Sequence, residues 1–281
     1  RKTSSLKTIT RPQAGKERKH AMSVERSSVR TDATGRMIRD WDKEDQIPVP
    51  KRKLTTGIEP PAYRNDVFKG ERRIEWDDWS RIVELDPTLS SAEKKAFHDI
   101  FAAEGGMKKA PGGSAVAGIL QDTLDKLILK EKLNDLVSRK GKVIDTEDLD
   151  FHDVKDIYKG FFNQIFEGPA KTYNAKNPKR TIQGYQILSL IGDDKVSSSV
   201  ADILFREGPA KGTEIIQKAI KLSDPTKDTG KGAAFGTMTL QALQEISKEP
   251  EKVKNFLKFS ANARRSDEKA RNDYFRFRGG E

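Results

Sequence analysis

The chain has no cysteine and only three histidines among its 281 residues. The first absence excludes disulfide frameworks, thiolate metal sites and thiol nucleophiles, and leaves the redox compartment open. The histidines, His20, His98 and His152, stand apart with no second ligand at metal spacing, so no metal and no other cofactor is expected. His98 lies one residue off an apolar helix face and is expected to face solvent. No apolar run reaches the roughly 18 residues that cross a bilayer, and the N-terminal stretch lacks the apolar segment of a secretory signal. Neither a membrane span nor a signal peptide is therefore expected. Strand signals are nearly absent, with "KVID" at 142–145 the one short candidate.

Charge is what the chain has in quantity: 34% of residues are charged against 35% hydrophobic, the net charge is +10 and the sequence pI is about 9.5. Such a balance attracts polyanions, whether nucleic acid, anionic lipid or a bacterial wall, and it requires the apolar residues to be concentrated in one part of the chain. Residues 1–71 are rich in Lys, Arg, Ser, Thr, Pro and Gly, with Trp41 as the one large anchor. A stretch of that kind cannot bury enough surface to offset its ordering entropy, so it is expected to be a long, largely irregular basic arm that tethers the chain to a partner protein. "RRIEWDDWSRIVEL" then sets Trp76, Trp79, Ile82 and Leu85 at helical spacing, which predicts a connecting helix within 72–88.

Helical signals follow one another after Pro87. "LSSAEKKAFHDIFAAE" offers Ser90 or Ser91 as N-cap with Glu93 in the first turn. Ile119, Leu124, Leu127, Ile128, Leu133, Leu136 and Val137 form a long core stripe, and "DFHDVKDIYKGFFNQIF" supplies another. "EGPAK" occurs at Glu167–Lys171 and again at Glu207–Lys211, each time placing proline in the first turn of a new helix, where its missing N–H is harmless. The fold class is expected to be all-α with at most a minor hairpin. "RNDYFRFRGG" near the C-terminus is read as a helix with aromatics inward and arginines outward, and nucleic acid is not the expected partner.

The chemistry gathers in "FHDIFAAEGGMKKAPGGSAVAGILQDTLDKL". Phe97, Ile100 and Phe101 precede Glu104 by seven, four and three residues, so all four share one helix face and the carboxylate points where the core points. Removal from water disfavours the charged form of a carboxyl, which is the condition for a general acid near neutral pH. Gly105 and Gly106 end the helix and are read as clearance for a bulky substrate, and the Gly112, Gly113, Ser114 loop as an active-site wall.

This arrangement resembles the glycoside hydrolase family 108 type of phage and bacterial lysozyme, in which EGG follows an amphipathic helix and a second glycine pair leads into a GIT-Q and YD series. "GGSAVAGILQDTLD", "DIYKGFF", "ADILFREGPAKGTEIIQKAI" and "GTMTLQAL" match that family in order over about Ser90 to Tyr274. The resemblance implies a lysozyme-like helical domain, with a catalytic lobe at 89–192 and a second, peptidoglycan-binding-like lobe at 193–281. It makes Glu104 the acid that protonates the glycosidic oxygen beside N-acetylmuramic acid, and it places Gly105, Gly106, Gly113, Ser114, Gln121, Asp125, Tyr158, Phe162 and Asp202 at the substrate. The partners it implies are bacterial peptidoglycan and, through the arm, other proteins of a phage particle that acts in the periplasm or cell wall.

The series also departs from the family. Ala115, Val116 and Ala117 stand where a Thr and a polar residue are usual, Leu120 replaces the Thr of GIT and Leu124 the Tyr of YD. Hydroxyls that orient a sugar or a water are thus missing, and lost positioning can cost orders of magnitude in rate. The alternative reading is a catalytically impaired lysozyme-like structural protein of the virion, in the tail or ejection apparatus. For a second carboxylate the candidates are Asp122, Asp125 and Asp202; Asp125 also reads as an ordinary solvated residue and Asp202, flanked by Val200, Ile203 and Leu204, as a buried hydrogen-bond acceptor.

Overall fold

The computed structural model describes residues 30–31, 37–38, 58–64, 66–70, 72–107, 115–141, 143–230 and 232–262. The chain divides into two units, 1–51 and 52–281. In the first, the described residues are a short antiparallel ladder, β1 (Arg30–Thr31) with β2 (Met37–Ile38), in which Arg30 faces Ile38. Trp41, most of the expected arm and the aromatic–arginine stretch after residue 262 lie outside the described residues, as do Gly113 and Ser114.

The second unit is helical, as its apolar periodicity predicts. Its elements are α1 (Arg72–Glu84), α2 (Ser91–Glu104), β3 (Ala115–Val116), β4 (Ile119–Leu120), α3 (Gln121–Leu129), α4 (Asn134–Lys140), α5 (Phe151–Ile165), α6 (Glu167–Lys176), α7 (Ile187–Leu190), α8 (Asp194–Glu207), α9 (Pro209–Ser223), α10 (Thr237–Ile246) and α11 over 250–262. No described residue of "KVID" is a strand; the second ladder is instead the hairpin β3–β4, inside the glycine-rich stretch. The stripe expected to run through 119–137 is broken after Leu129, where Glu131 takes a left-handed φ of 55° and turns the chain into α4. Both "EGPAK" copies behave as expected, with Pro169 in the first turn of α6 and Pro209 opening α9.

Helix α2 is central. Its start is fixed by a capping box in which Ser90 is the N-cap and Glu93 returns a hydrogen bond to the Ser90 backbone. Because Ala96, Phe97, Ile100, Phe101 and Ala102 are all within 1% of complete burial, α2 is enclosed on several sides, by α1, α7 and α8. Its most extensive partner is α8, so the expected boundary between lobes at 192–193 runs through the tightest helix pair of the unit rather than between two domains. A chain of rings crosses this core: Trp79 stacks on Phe101 at 4.3 Å, Phe97 meets Tyr158 edge-on at 5.6 Å, and Tyr158 meets Phe205 at 5.0 Å.

Residues 58–70, expected in the arm, pack on this body. Trp76 Nε1 donates to the Ile58 carbonyl at 3.0 Å, and Phe68, 2% exposed, lies over Phe101. Leu85, expected to pack, falls just past the end of α1 and is 73% exposed. His98 is buried, contrary to expectation, because α1 covers that face of α2: its Nε2 meets Glu84 Oε1 at 3.0 Å and its ring lies against Trp76. Burial holds its pKa below the usual histidine range, with Glu84 partly offsetting the effect.

The turn after α1 is tied to α5 by Asp86. Its Oδ2 accepts from Lys155 at 2.6 Å and Lys159 at 2.7 Å, while Thr88 donates to Oδ1 from both backbone and side chain. Burial alone would raise its pKa, but these four donors outweigh it and hold the carboxyl well below the ordinary aspartate range. A depressed folded pKa contributes stability that is fully present above the unfolded value of about 3.9 and fades as pH falls below it. We expect Asp86→Asn to lose roughly 3 kcal/mol at pH 7 in urea unfolding, with the deficit against wild type shrinking as pH drops below about 4. A deficit that stays constant to pH 3 would show that the ion pairs are not its source.

Candidate functional site

Helix α2 ends in a turn in which the carbonyls of Phe101, Ala102, Ala103 and Gly105 each accept a hydrogen bond. Gly105 adopts φ 82°, and the Gly105 and Gly106 amides donate back to the Ala102 and Phe101 carbonyls at 3.2 and 3.0 Å, a Schellman closure. Arg64 donates to the Ala103 carbonyl and Arg72 to that of Gly105, placing two guanidinium groups at the negative end of the helix dipole. Gly106 therefore does not provide the expected room for substrate, whereas nothing stands within 4 Å of a Cβ on Gly105. A Cβ on Gly106 would stand 2.1 Å from Glu75 Oε1, an oxygen that accepts from the Met107 amide. The space is filled from α1.

Glu104, the last residue of α2, points the other way. Its methylene stem lies under the hairpin turn, where a Cβ on Gly118 would meet Glu104 Cγ at 2.5 Å and the Phe205 ring at 2.7 Å. Val116 pairs with Ile119 across the two-residue turn Ala117–Gly118, and both turn residues have positive φ, 49° and 74°, the geometry that matches the twist of short hairpins. An alanine in that region is strained by about 1 kcal/mol. The strain is held by Tyr158, which is 0% exposed and donates its hydroxyl to the Ala117 carbonyl at 2.9 Å. Burial, together with the negative charge of Glu104, pushes the Tyr158 pKa well above 10, so the hydroxyl keeps the proton it donates.

The carboxylate of Glu104, 25% exposed rather than sealed in the core, looks into a cavity of about 280 Å³. Ile119 and Leu120 of the hairpin, Ile157 and Phe161 of α5, and Phe205 form most of its wall, and Thr123 is its one uncharged hydroxyl. Arg206 closes one side. Its Nε lies 2.8 Å from Asp202 Oδ1 and 3.7 Å from Glu104 Oε1, so one guanidinium stands between the two carboxylates.

Of the residues expected at a substrate, the fold thus brings Glu104, Tyr158 and Asp202 together, Tyr158 as the support of the hairpin rather than as a contact. Phe162 is 0% exposed and stacks between Phe97 and Phe166, out of reach of any ligand. Gln121 is a strut, donating to the Ile144 carbonyl at 2.8 Å and accepting from the Thr146 amide at 3.0 Å, and Asp125 accepts from Gln121 on an exposed face. Gly118, Arg206, Phe161 and Phe205 were not anticipated; an arginine four residues after Asp202 was the available signal for one of them.

A second cavity, of about 430 Å³, shares Arg206 with the first and runs between α2 and α8; a third, of about 510 Å³, shares Lys95 and Asp99 with the second. The three follow α2 from Glu104 back to Ser91, a helix length of roughly 20 Å. Among the described residues no group of three His, Asp or Glu side chains could hold a metal ion. No family model matches the chain, and no curated protein and no solved structure matches it either.

The seat of the hairpin on Glu104 has a measurable cost structure. Gly118→Ala meets both a positive φ and two hard contacts, so it should lose roughly 1–3 kcal/mol, whereas Gly105→Ala, with open space around its Cβ, should lose about 1 kcal/mol for its φ alone. Thermal unfolding of the two variants side by side checks this; equal losses would mean that the turn does not rest on Glu104.

Proposed function

We propose that the protein is a glycosidase of bacterial peptidoglycan, a muramidase that cuts the glycan strand with Glu104 as its acid, carried in a phage particle to open the wall during infection. The observation that supports this reading most is the placement of Glu104: a carboxyl at a helix terminus, seated under a hairpin turn, facing a cavity that continues as a helix-long series of cavities. A pocket for a small molecule would need only the first cavity, whereas a polymer uses all three. The basic charge suits an anionic wall, and the arm is the part available to bind other virion proteins.

In this mechanism a sugar ring enters between Leu120, Phe161 and Phe205, displaces water and brings its glycosidic oxygen to Glu104. Exclusion of water favours the protonated carboxyl, and the proton passes to the leaving oxygen as the bond to the anomeric carbon breaks. Asp202 is the second carboxylate, able to stabilise positive charge on the ring or to orient the attacking water. Arg206 stands between the two acids in the free protein, so its guanidinium must stay with Asp202 and leave Glu104 when the sugar arrives.

The same arginine, with an apolar wall that offers only the Thr123 hydroxyl, favours a second reading in which the fold binds peptidoglycan as a part of the virion tail or ejection apparatus without turnover. Purified peptidoglycan separates the two. The full chain should clear the suspension and release reducing ends, and Glu104→Gln should slow this by about 100-fold or more. An inactive wild type that still pellets with the wall would leave the binding reading alone.

A further inference from the structure

The middle cavity is chemically unlike the one at Glu104. No apolar side chain lines it, and its walls alternate cations and acceptors: Lys95 and Asp99 from α2, and Lys195, Asp202 and Arg206 from α8. Lys95 is committed to Asp99 at 2.8 Å, Asp99 also accepts from Ser198 at 2.5 Å, and Arg206 is committed to Asp202. Lys195 is exposed, and its ammonium has no ion-pair or hydrogen-bond partner among the described residues. The cavity therefore presents one uncommitted cation beside satisfied pairs, a poor surface for a sugar face and a good one for a flexible ligand ending in a carboxylate.

Dimensions narrow the ligand. Lys195 lies eleven residues before Arg206 on α8, an axial distance of roughly 16 Å. A ligand that leaves the sugar beside Arg206 and reaches Lys195 must span about that length, and a four-residue peptide in extended form covers roughly 13–14 Å before its side chains are counted. We propose that this cavity holds the peptide stem carried by the muramic acid of the glycan strand, with its free carboxylate at Lys195 and its backbone along Ser199 and Asp202. The assignment rests on the peptidoglycan reading of Glu104. It adds a specificity: strands bearing peptides are preferred over bare strands.

Binding measured on the full chain carrying Glu104→Gln, which removes turnover, tests it. A disaccharide tetrapeptide should bind at least tenfold more tightly than the same disaccharide without its peptide, and Lys195→Glu added to that background should erase most of the difference while changing disaccharide affinity by less than twofold. Inorganic phosphate at matched ionic strength should not displace the peptide-bearing ligand. Equal affinity for the two ligands, a preference that survives Lys195→Glu, or displacement by phosphate would each overturn the assignment. Turnover of peptidoglycan by the wild type with no peptide preference would sink the stem site alone. A Lys195-dependent peptide preference in a chain without turnover would sink the enzymatic reading alone.

Discussion

The contact between Gly118 and the stem of Glu104 sets the geometry of the rest of the site. Glu104 cannot retreat into the core, because Phe97, Ile100 and Phe101 already fill the interior face of α2, and it cannot turn toward α1, because Glu75 and Arg72 fill the space beside Gly106. What remains is the gap between the hairpin and α8. The hairpin is held in turn by one hydrogen bond from a fully buried tyrosine, and that tyrosine by the rings of Phe97 and Phe205. Aromatic packing in the core thus fixes a carboxylate at the surface.

Charge at the site is arranged around Arg206 rather than around burial. Two acids and one guanidinium form a chain that separates an apolar cavity from a polar one. In the proposed function a sugar and a charged substituent make opposite demands on their surroundings, and the adjoining cavities differ in that same sense. The same arrangement keeps a guanidinium beside Glu104 when nothing is bound, so the proposed acid role depends on ligand entry to drive out water and draw the arginine away.

Much of the fold could be read from periodicity and capping. Ser90 and Glu93 announced the start of α2, Trp76 and Trp79 its neighbour, and both Gly-Pro steps the starts of new helices. The hairpin could not be read the same way. Its turn is Ala-Gly, not Asn-Gly, and it takes its shape from the Tyr158 hydroxyl, forty-one residues away in the chain. The role of Glu104's neighbours was misread for a related reason. Spacing places Gly105 and Gly106 beside the acid, but only the packing of α1 shows that the space beside Gly106 is already occupied, and the glycine that does touch Glu104, Gly118, stands fourteen residues further along the chain. His98 followed the same pattern, since helix spacing puts it off the apolar face and α1 then covers it.

The most direct measurement is methyl NMR of the full chain carrying Glu104→Gln, titrated with a soluble peptidoglycan fragment. Shifts at Ile119, Leu120 and Ile157, the methyl-bearing residues that line the cavity before Glu104 with Thr123, are what this account requires. Saturation without any movement of the three hairpin and α5 methyls would contradict it, because the ligand would then be bound away from Glu104.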